Sequence, residues 1–330
     1  MLPLDYPMPA RGTPDTVGRD LSKCAVVITG ASSGIGRAAA LAFAARGSRL
    51  ALAARAQQPL EEVARECEAC GTEALWLATD VREEEQVSEL ACRTVDRFGR
   101  LDVWVNSAGV IVYGRFEDVP TDVFRAVIET NLFGQVHGAR AALPHFRRQG
   151  SGVLINMASV WGRVTAPHVS AYVTSKFAVR AFGECLRQEL RDLPGVDVAT
   201  MLPQAVDTPI FGRAGNFAGR AARPIPPVLD PETVASGILR CAESPKREVT
   251  YSRMGRVLEL THSVAPGLYS RFLAPAFEAG NYAERPIPPT SGSILEPAHG
   301  AHSIDGGWRQ GRKRELVRAL SSAVRGLIRR

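Results

Sequence analysis

A doubly wound parallel α/β sheet in a single domain is the fold this sequence predicts, and three observations carry that prediction. Short apolar runs alternate with amphipathic helical stretches from residue 23 to residue 251. The runs are close to continuous in Ala, Val, Leu and Ile, the composition of strands covered on both faces. A glycine-rich turn closes the first run and opens the helix that follows it.

Taken in order, residues 25–29 (AVVIT) form a strand by their β-branched content, and 35–45 a helix of small residues. Strand 50–54, helix 59–70, strand 74–78 and helix 83–98 repeat the alternation. Residues 101–106 make the fourth strand, 121–148 one long helix, 152–157 the fifth strand, 168–192 a helix and 196–202 the sixth strand. Helix 231–243 and strand 248–251 close the series. In such sheets ligands bind beyond the carboxyl ends of the strands, where the strand order reverses, so chemistry is expected just after strands. Beyond residue 277 the pattern fails, and 278–311, rich in Gly, Pro, Ser and Ala, reads as a loop-like, partly disordered tail. The organisation is an N-terminal extension 1–22, a core domain 23–255, a C-terminal extension 256–311 and a basic amphipathic helix 312–330.

The formal charge of +6 lies in the last 19 residues, where Arg312, Lys313, Arg314, Arg318, Arg325, Arg329 and Arg330 face only Glu315. A neutral body is no electrostatic footprint for a nucleic acid. The six cysteines (Cys24, Cys67, Cys70, Cys92, Cys185, Cys241) are scattered, as in a reducing compartment. Cys67 and Cys70 form a C-x-x-C inside a helical run, but no second pair stands at ligand spacing, so no metal is expected. Residues 1–20 are polar and proline-containing, and no run approaches the roughly 18 apolar residues of a membrane span. A cytoplasmic protein is expected, peripheral to a membrane if residues 312–330 reach one. There Leu316, Val317, Leu320, Ala323, Val324, Leu327 and Ile328 recur at helical spacing opposite the arginines. Such a helix suits an anionic membrane surface, a partner subunit or a solvated tail. Residues 258–277 offer it an apolar companion, broken by Pro266 and Arg271.

The turn after the first strand reads Thr29, Gly30, Ala31, Ser32, Ser33, Gly34, Ile35, Gly36. Glycines there let the backbone approach a pyrophosphate seated on the helix N-terminus, although a plain strand-to-helix turn would look similar. The spacing T-G-x-x-x-G-x-G resembles the glycine motif of the short-chain dehydrogenase/reductase family. Further motifs strengthen the resemblance over residues 23–251. Asn106, Ser107, Ala108 and Gly109 form an N-x-A-G after the fourth strand, Asn131 stands in the next helix, Ser159 follows the fifth strand, and Tyr172 and Lys176 make a Y-x-x-x-K. The family implies a Rossmann fold, hydride transfer with a nicotinamide dinucleotide, and a homodimer or homotetramer built on the helices bearing Asn131 and Tyr172.

Tyr172 and Lys176 stand at i and i+4, so on a helix they share a face one turn apart. A tyrosine with a pKa near 10 is a poor base, but a nearby ammonium lowers that value, and Tyr172 can then exchange a proton with a carbonyl or alcohol oxygen. Taken singly, a helical Tyr packs, a Lys is solvated, Ser159 caps a turn and Asn131 is a structural polar group. The resemblance implies that Ser159 polarises the carbonyl, that Lys176 also binds the nicotinamide ribose, and that Asn131 holds a water in a proton relay to Lys176. It also places Asp80 and Val81 at the adenine.

Cofactor choice turns on the end of the second strand, where an acidic residue would bind a ribose 2′-hydroxyl. Ala54 stands in that place, Arg55 follows it, and Arg37 flanks the last motif glycine. Arginine pairs with a 2′-phosphate, so NADP(H) is expected over NAD(H), the alternative being two solvated surface charges. Residues 203–209 (PQAVDTP) resemble the family's P-G-x-V-x-T segment beside the nicotinamide, with Pro203, Val206 and Thr208 in place and Gln204 where glycine is usual. Residues from Ile210 and Phe211 to Val228 are expected to form a mobile flap. Val110, Val160, Trp161, Val164 and Phe211 imply an apolar pocket. The expected activity is NADP(H)-dependent interconversion of a ketone or aldehyde and an alcohol. A catalytically silent dinucleotide-binding regulator and a nucleotide-sugar epimerase or dehydratase stand as alternatives.

Overall fold

Each apolar run is hydrophobic on both faces, so it is stable only inside a sheet covered on both sides, and the chain builds that sheet first. The computed structural model describes residues 18–251, 253–273, 280–297 and 302–309; the basic run 312–330 lies outside them. The strands are β1 (Ala25–Thr29), β2 (Arg49–Ala54), β3 (Ala74–Ala78), β4 (Val103–Asn106), β5 (Val112–Tyr113), β6 (Gly152–Met157), β7 (Val196–Leu202), β8 (Gly215–Asn216), β9 (Arg220–Ala222) and β10 (Glu248–Thr250). Seven of them form one parallel sheet in the order β10-β7-β6-β4-β1-β2-β3, as predicted for a doubly wound fold. The order reverses between β1 and β4, which opens a crevice at their carboxyl ends.

Helices α1 (Gly34–Ala44), α2 (Gln57–Ala69) and, late in the chain, the helix at Pro231–Glu243 cover one face, packing Phe43, Leu60, Val63, Val234 and Ile238 on Ile28, Leu50 and Leu52. Helix α3 (Glu84–Phe98) and the two helices at Gly134–Gln149 and Ser170–Glu189 cover the other, with Leu90, Phe146 and Leu186 against Trp104 and Leu154. Each side chain fully buried in these layers contributes about 1.5–3 kcal/mol over exposure.

The stretch expected as one helix over 121–148 is interrupted. Helix α4 (Thr121–Ile128) passes through a π-helical turn at Glu129–Phe133 into α5 (Gly134–Gln149). Asn131 sits in that turn, the kind of irregularity that helices carry at functional sites. Gly134 lets the start of α5 lie against the loop after β3, since a Cβ there would come within 2.6 Å of Val81. Helix α6 (Ser170–Glu189) carries Tyr172 and Lys176, and α7 (Pro231–Glu243) precedes β10.

After Thr208, where the sequence suggests a mobile flap, β8 pairs with β5, and β9 pairs with β11 (Tyr282–Pro286). The described parts of 278–311 are not a loose tail, for Tyr282 and Ile294 are buried and the segment hydrogen-bonds to the domain at several points. These contacts run through main-chain groups, which leave no hydrophobic period to read. Helix α8 (Arg253–Val264) straddles the expected boundary at 255 and is fastened to α6 and β10 by Arg163, Arg180, Glu248 and Glu259. Among the described residues no helix is long and apolar enough to cross a membrane.

Candidate active site

The glycine turn is shaped by contacts that a side chain would block. Gly30 leaves β1 at φ +68°, and a Cβ on it would lie 2.7 Å from the Ala108 Cα. A Cβ on Gly36 would lie 2.2 Å from the Gly30 carbonyl oxygen, so α1 can begin this close to the sheet only with glycine there. Gly34 takes φ +56° and would bring a Cβ 3.2 Å from Thr208 Cγ2. Thr29 Oγ1 accepts from the Ser107 and Ala108 N–H groups at 3.2 and 3.3 Å, which binds the glycine turn to the N-x-A-G segment.

A cavity of about 370 Å³ runs along this edge of the sheet. Gly30, Ser32, Ser33, Gly34, Ile35 and Gly36, with Arg55, Asp80 and Val81, line one end; Ser159, Tyr172 and Lys176 line the other. Ala108, Gly109, Pro203, Val206 and Thr208 lie along it. The bare glycine cradle, the α1 N-terminus and the Arg55 guanidinium fit an elongated, multiply phosphorylated ligand such as a dinucleotide. Burial would raise the Asp80 carboxyl, but hydrogen bonds from Arg82, one at 2.6 Å, hold it below the usual carboxylate range.

Three predicted site residues stand behind the wall instead of on it. Arg37 does not face the cavity: it pairs with Glu66 at 2.5 Å and donates to the His302 carbonyl. Asn106 is buried in a polar network, accepting from Trp104 Nε1 at 2.8 Å and donating to Asn156 Oδ1 at 2.9 Å. Asn131 accepts from the Val110 N–H at 2.8 Å and donates to the Val110 carbonyl and to Ser175 Oγ, at 2.9 and 3.0 Å. Its own carbonyl accepts from Gln135, which also donates to the Met157 carbonyl.

At the catalytic end Lys176 Nζ donates to that same Met157 carbonyl at 2.8 Å and lies 5.4 Å from the Tyr172 ring centroid. Trp161 packs edge-on against Tyr172, with centroids 5.9 Å apart. The Trp161 N–H donates to Ser159 Oγ at 3.2 Å, which orients the hydroxyl. Burial pushes Tyr172 up to about 12, opposed by a hydrogen bond with Ser159, and pushes Lys176 down to about 7. The direction for Tyr172 runs opposite to the lowering by an ammonium that the sequence suggests, with desolvation as its largest cause. Val110, Val160, Trp161, Val164, Ile210 and Phe211 give the adjoining wall its apolar character.

Three lining residues carry no signal in the sequence. Ser293, Pro297 and His302 line the same cavity from the C-terminal segment. Gln204 also lines it and donates to the Pro227 carbonyl at 2.7 Å, tying its loop to the covering segment.

A doubly wound sheet with a glycine cradle at its switch point, and a Ser, Tyr and Lys set at the far end of one cavity, defines a nicotinamide-dinucleotide-dependent dehydrogenase or reductase. A family model described as short chain dehydrogenase matches residues 24–217, and the chain belongs to the short-chain dehydrogenase/reductase family. It is 34% identical over 316 residues to the uncharacterized oxidoreductase YxnA of Bacillus subtilis, covering 92% of this chain and 88% of that one. It is 35% identical over 260 residues to dehydrogenase/reductase SDR family member 7B of Danio rerio, covering 76% and 84%. Among solved structures it resembles an alcohol dehydrogenase from the archaeon Thermococcus sibiricus complexed with 5-hydroxy-NADP, at 32% identity and TM-score 0.60, over 68% of this chain and 94% of that one.

Proposed function

We propose that the protein interconverts an apolar ketone or aldehyde and the corresponding alcohol, using NADP(H) in preference to NAD(H). The observation that carries this reading is the joint placing of Ser159, Tyr172 and Lys176 on one cavity with the glycine turn and Arg55. When bound, the dinucleotide would supply or accept the hydride. Gly30 to Gly36, Asp80, Gly109, Pro203, Val206 and Thr208 would hold it along the cavity, and Arg55 would meet a 2′-phosphate. The Ser159 hydroxyl donates a hydrogen bond to the substrate carbonyl, and the Tyr172 phenol donates its proton to that oxygen as the alcohol forms. In the reverse direction Tyr172 takes that proton. Lys176, held by the Met157 carbonyl, keeps its nitrogen beside the ring and favours the phenolate whenever it is protonated. Asn131 fixes the loop at Val110 and the helix at Ser175, so its part is to hold Gly109 and Lys176 in register.

The Thermococcus sibiricus relative, solved with an NADP derivative, supports the cofactor preference. Following nicotinamide absorbance with both dinucleotides over a panel of apolar carbonyls tests it. Turnover with none of the panel, or equal use of the two dinucleotides, would contradict the reading.

Association into a homodimer or homotetramer through α4, α5 and α6 also belongs to this proposal. Phe116 and Phe133, 70% and 48% exposed, lie just before α4 and in the π turn that follows it, apolar surface fit for a second copy. Analytical ultracentrifugation checks it: a monomer throughout would count against it.

A further inference from the structure

Two described stretches of the C-terminal extension, 290–297 and 302–309, lie along the dinucleotide end of the cavity. Thr290 exchanges main-chain hydrogen bonds with Asn216 at 2.7 and 2.9 Å. The Ser293 N–H donates to the Arg213 carbonyl at 2.9 Å, and the Ile294 side chain is fully buried beside Val110 and Val127. These anchors fix two carbonyls. Arg55 donates to both, through Nη2 to Ser293 at 2.5 Å and through Nη1 to Ile294 at 3.0 Å. In the second stretch the Ser303 carbonyl accepts from the Gly34 N–H at 3.0 Å, and the Asp207 carboxylate takes the N–H groups of Gly306, Trp308 and Arg309 at 2.9 to 3.0 Å.

Among the described residues Arg55 makes no ion pair, and it donates to those two neutral carbonyls. Burial draws its pKa down, opposed by Asp80, so the charge is held at a cost that an anion would offset. Two of the five guanidinium N–H donors are taken on the strap side, which fixes the plane of the fork and leaves the rest for a ligand.

We propose that this strap is the specificity element of the dinucleotide site: by gripping Arg55 through the Ser293 and Ile294 carbonyls, it holds the guanidinium ready for a ribose 2′-phosphate. The strap positions; it touches none of the reacting atoms. The inference rests on the NADP(H) reading above and adds to it the part of the chain that enforces the preference.

Gly292 provides the test. It is exposed and takes φ +56°, and a Cβ on it would come within 2.3 Å of the Arg213 carbonyl and 2.5 Å of that of Ala214. Gly292→Ala in the full chain should displace the Ser293–Ile294 carbonyls without touching the catalytic end. Calorimetric titration with NADP⁺ and NAD⁺ should show the NADP⁺ Kd weakened about tenfold or more, as for loss of an oriented charge-assisted contact, and the NAD⁺ Kd changed less than about threefold. Gly292→Ala added to Arg55→Ala should cause no further loss of NADP⁺ affinity. Equal weakening of both dinucleotides, or no change in either, would overturn the proposal. If Arg55→Ala leaves the NADP⁺ to NAD⁺ ratio unaltered, the cofactor reading itself fails; if it narrows the ratio and Gly292→Ala does not, the strap's role alone fails. Should Gly292→Ala not fold, hydrogen exchange on the unmodified chain decides. NADP⁺ should protect amides in 290–297 more than NAD⁺ does, and equal protection overturns the inference.

Discussion

Lys176 Nζ lies 5.4 Å from the centroid of the Tyr172 ring and is anchored to the Met157 carbonyl, so the two groups share a helix face in a corner that disfavours charge on either. Burial pushes the Tyr172 phenol up to about 12, which favours the protonated form that the proposed carbonyl reduction uses. The reverse reaction needs the phenolate. We therefore expect kcat/KM for alcohol oxidation to climb between about pH 6 and 10, while that for carbonyl reduction stays level or falls. A flat oxidation profile would remove Tyr172 from the proton step.

Tyr172→Phe keeps the ring and its edge contact with Trp161 but removes the proton. It should lower kcat by about 10²- to 10⁴-fold and leave the dinucleotide Kd and the thermal midpoint close to those of the unmodified chain. Single-turnover kinetics with calorimetric binding separates the two effects. Retained turnover would mean that another group donates.

The buried Lys176 costs stability, and the sign can be worked out. Its pKa falls from 10.5 unfolded to about 7 folded, so the fold disfavours the ammonium. The penalty is complete below about pH 7 and vanishes above about pH 10.5; a shift of that size corresponds to about 5 kcal/mol. Lys176→Met removes the charge and one of the two hydrogen bonds to the Met157 carbonyl, Gln135 keeping the other, a loss of about 1 kcal/mol. The variant should be inactive yet more stable than the parent by urea unfolding at pH 7, with the gap shrinking toward pH 10. Lower stability at both pH values would show that burial of the ammonium is not the dominant cost.

Why some of this was legible in the sequence and some was not follows from particular residues. The strands, the glycine turn and the Tyr172–Lys176 pair depend on local spacing, which a sequence displays. The direction of the Tyr172 shift depends on burial by Trp161 and the covering segment, brought together only by the fold. Arg37 follows a motif glycine, but spacing does not say which way a side chain turns, and here Glu66 and the His302 carbonyl draw it away. The strap stretches 290–297 and 302–309 were least legible, because main-chain groups hold much of them and no periodic pattern marks them. The π turn at Asn131 was hidden because the apolar pattern over 121–148 runs on through it without a break.

The glycine cradle should tolerate no methyl group at its tightest point. A Cβ at position 36 would sit 2.2 Å from the Gly30 carbonyl oxygen, a backbone atom that cannot rotate away. Gly36→Ala should cost about 1–3 kcal/mol, as for overpacking, and weaken both dinucleotides together. Gly47→Ala is the control: it also takes a positive φ, +74°, but faces open space, so it should cost about 1–2 kcal/mol of strain and leave binding intact. Equal binding by the two variants would show that the cradle does not approach the ligand.

Glu248 on β10 joins Arg163 at 2.5 Å and Arg180 at 2.7 Å, and both arginines also meet Glu259 of α8, so one network ties α8 to the helix bearing Tyr172. Burial alone would raise the Glu248 carboxyl, but Arg180 and Arg163 hold it below its ordinary 4.5. A depressed acid contributes stability above its unfolded pKa and loses it as pH falls through the folded value. Glu248→Gln keeps the shape and removes the charge, leaving two partly buried guanidinium groups to share Glu259. The expected loss at neutral pH is about 3 kcal/mol, toward the lower end for breaking a buried pair, since side-chain access to water is not closed off entirely. Urea unfolding of parent and variant should show a constant gap from pH 7 to about pH 5 that closes as the pH drops below about 4.5. A gap independent of pH would assign the loss to packing and take the ion pairs out of the account.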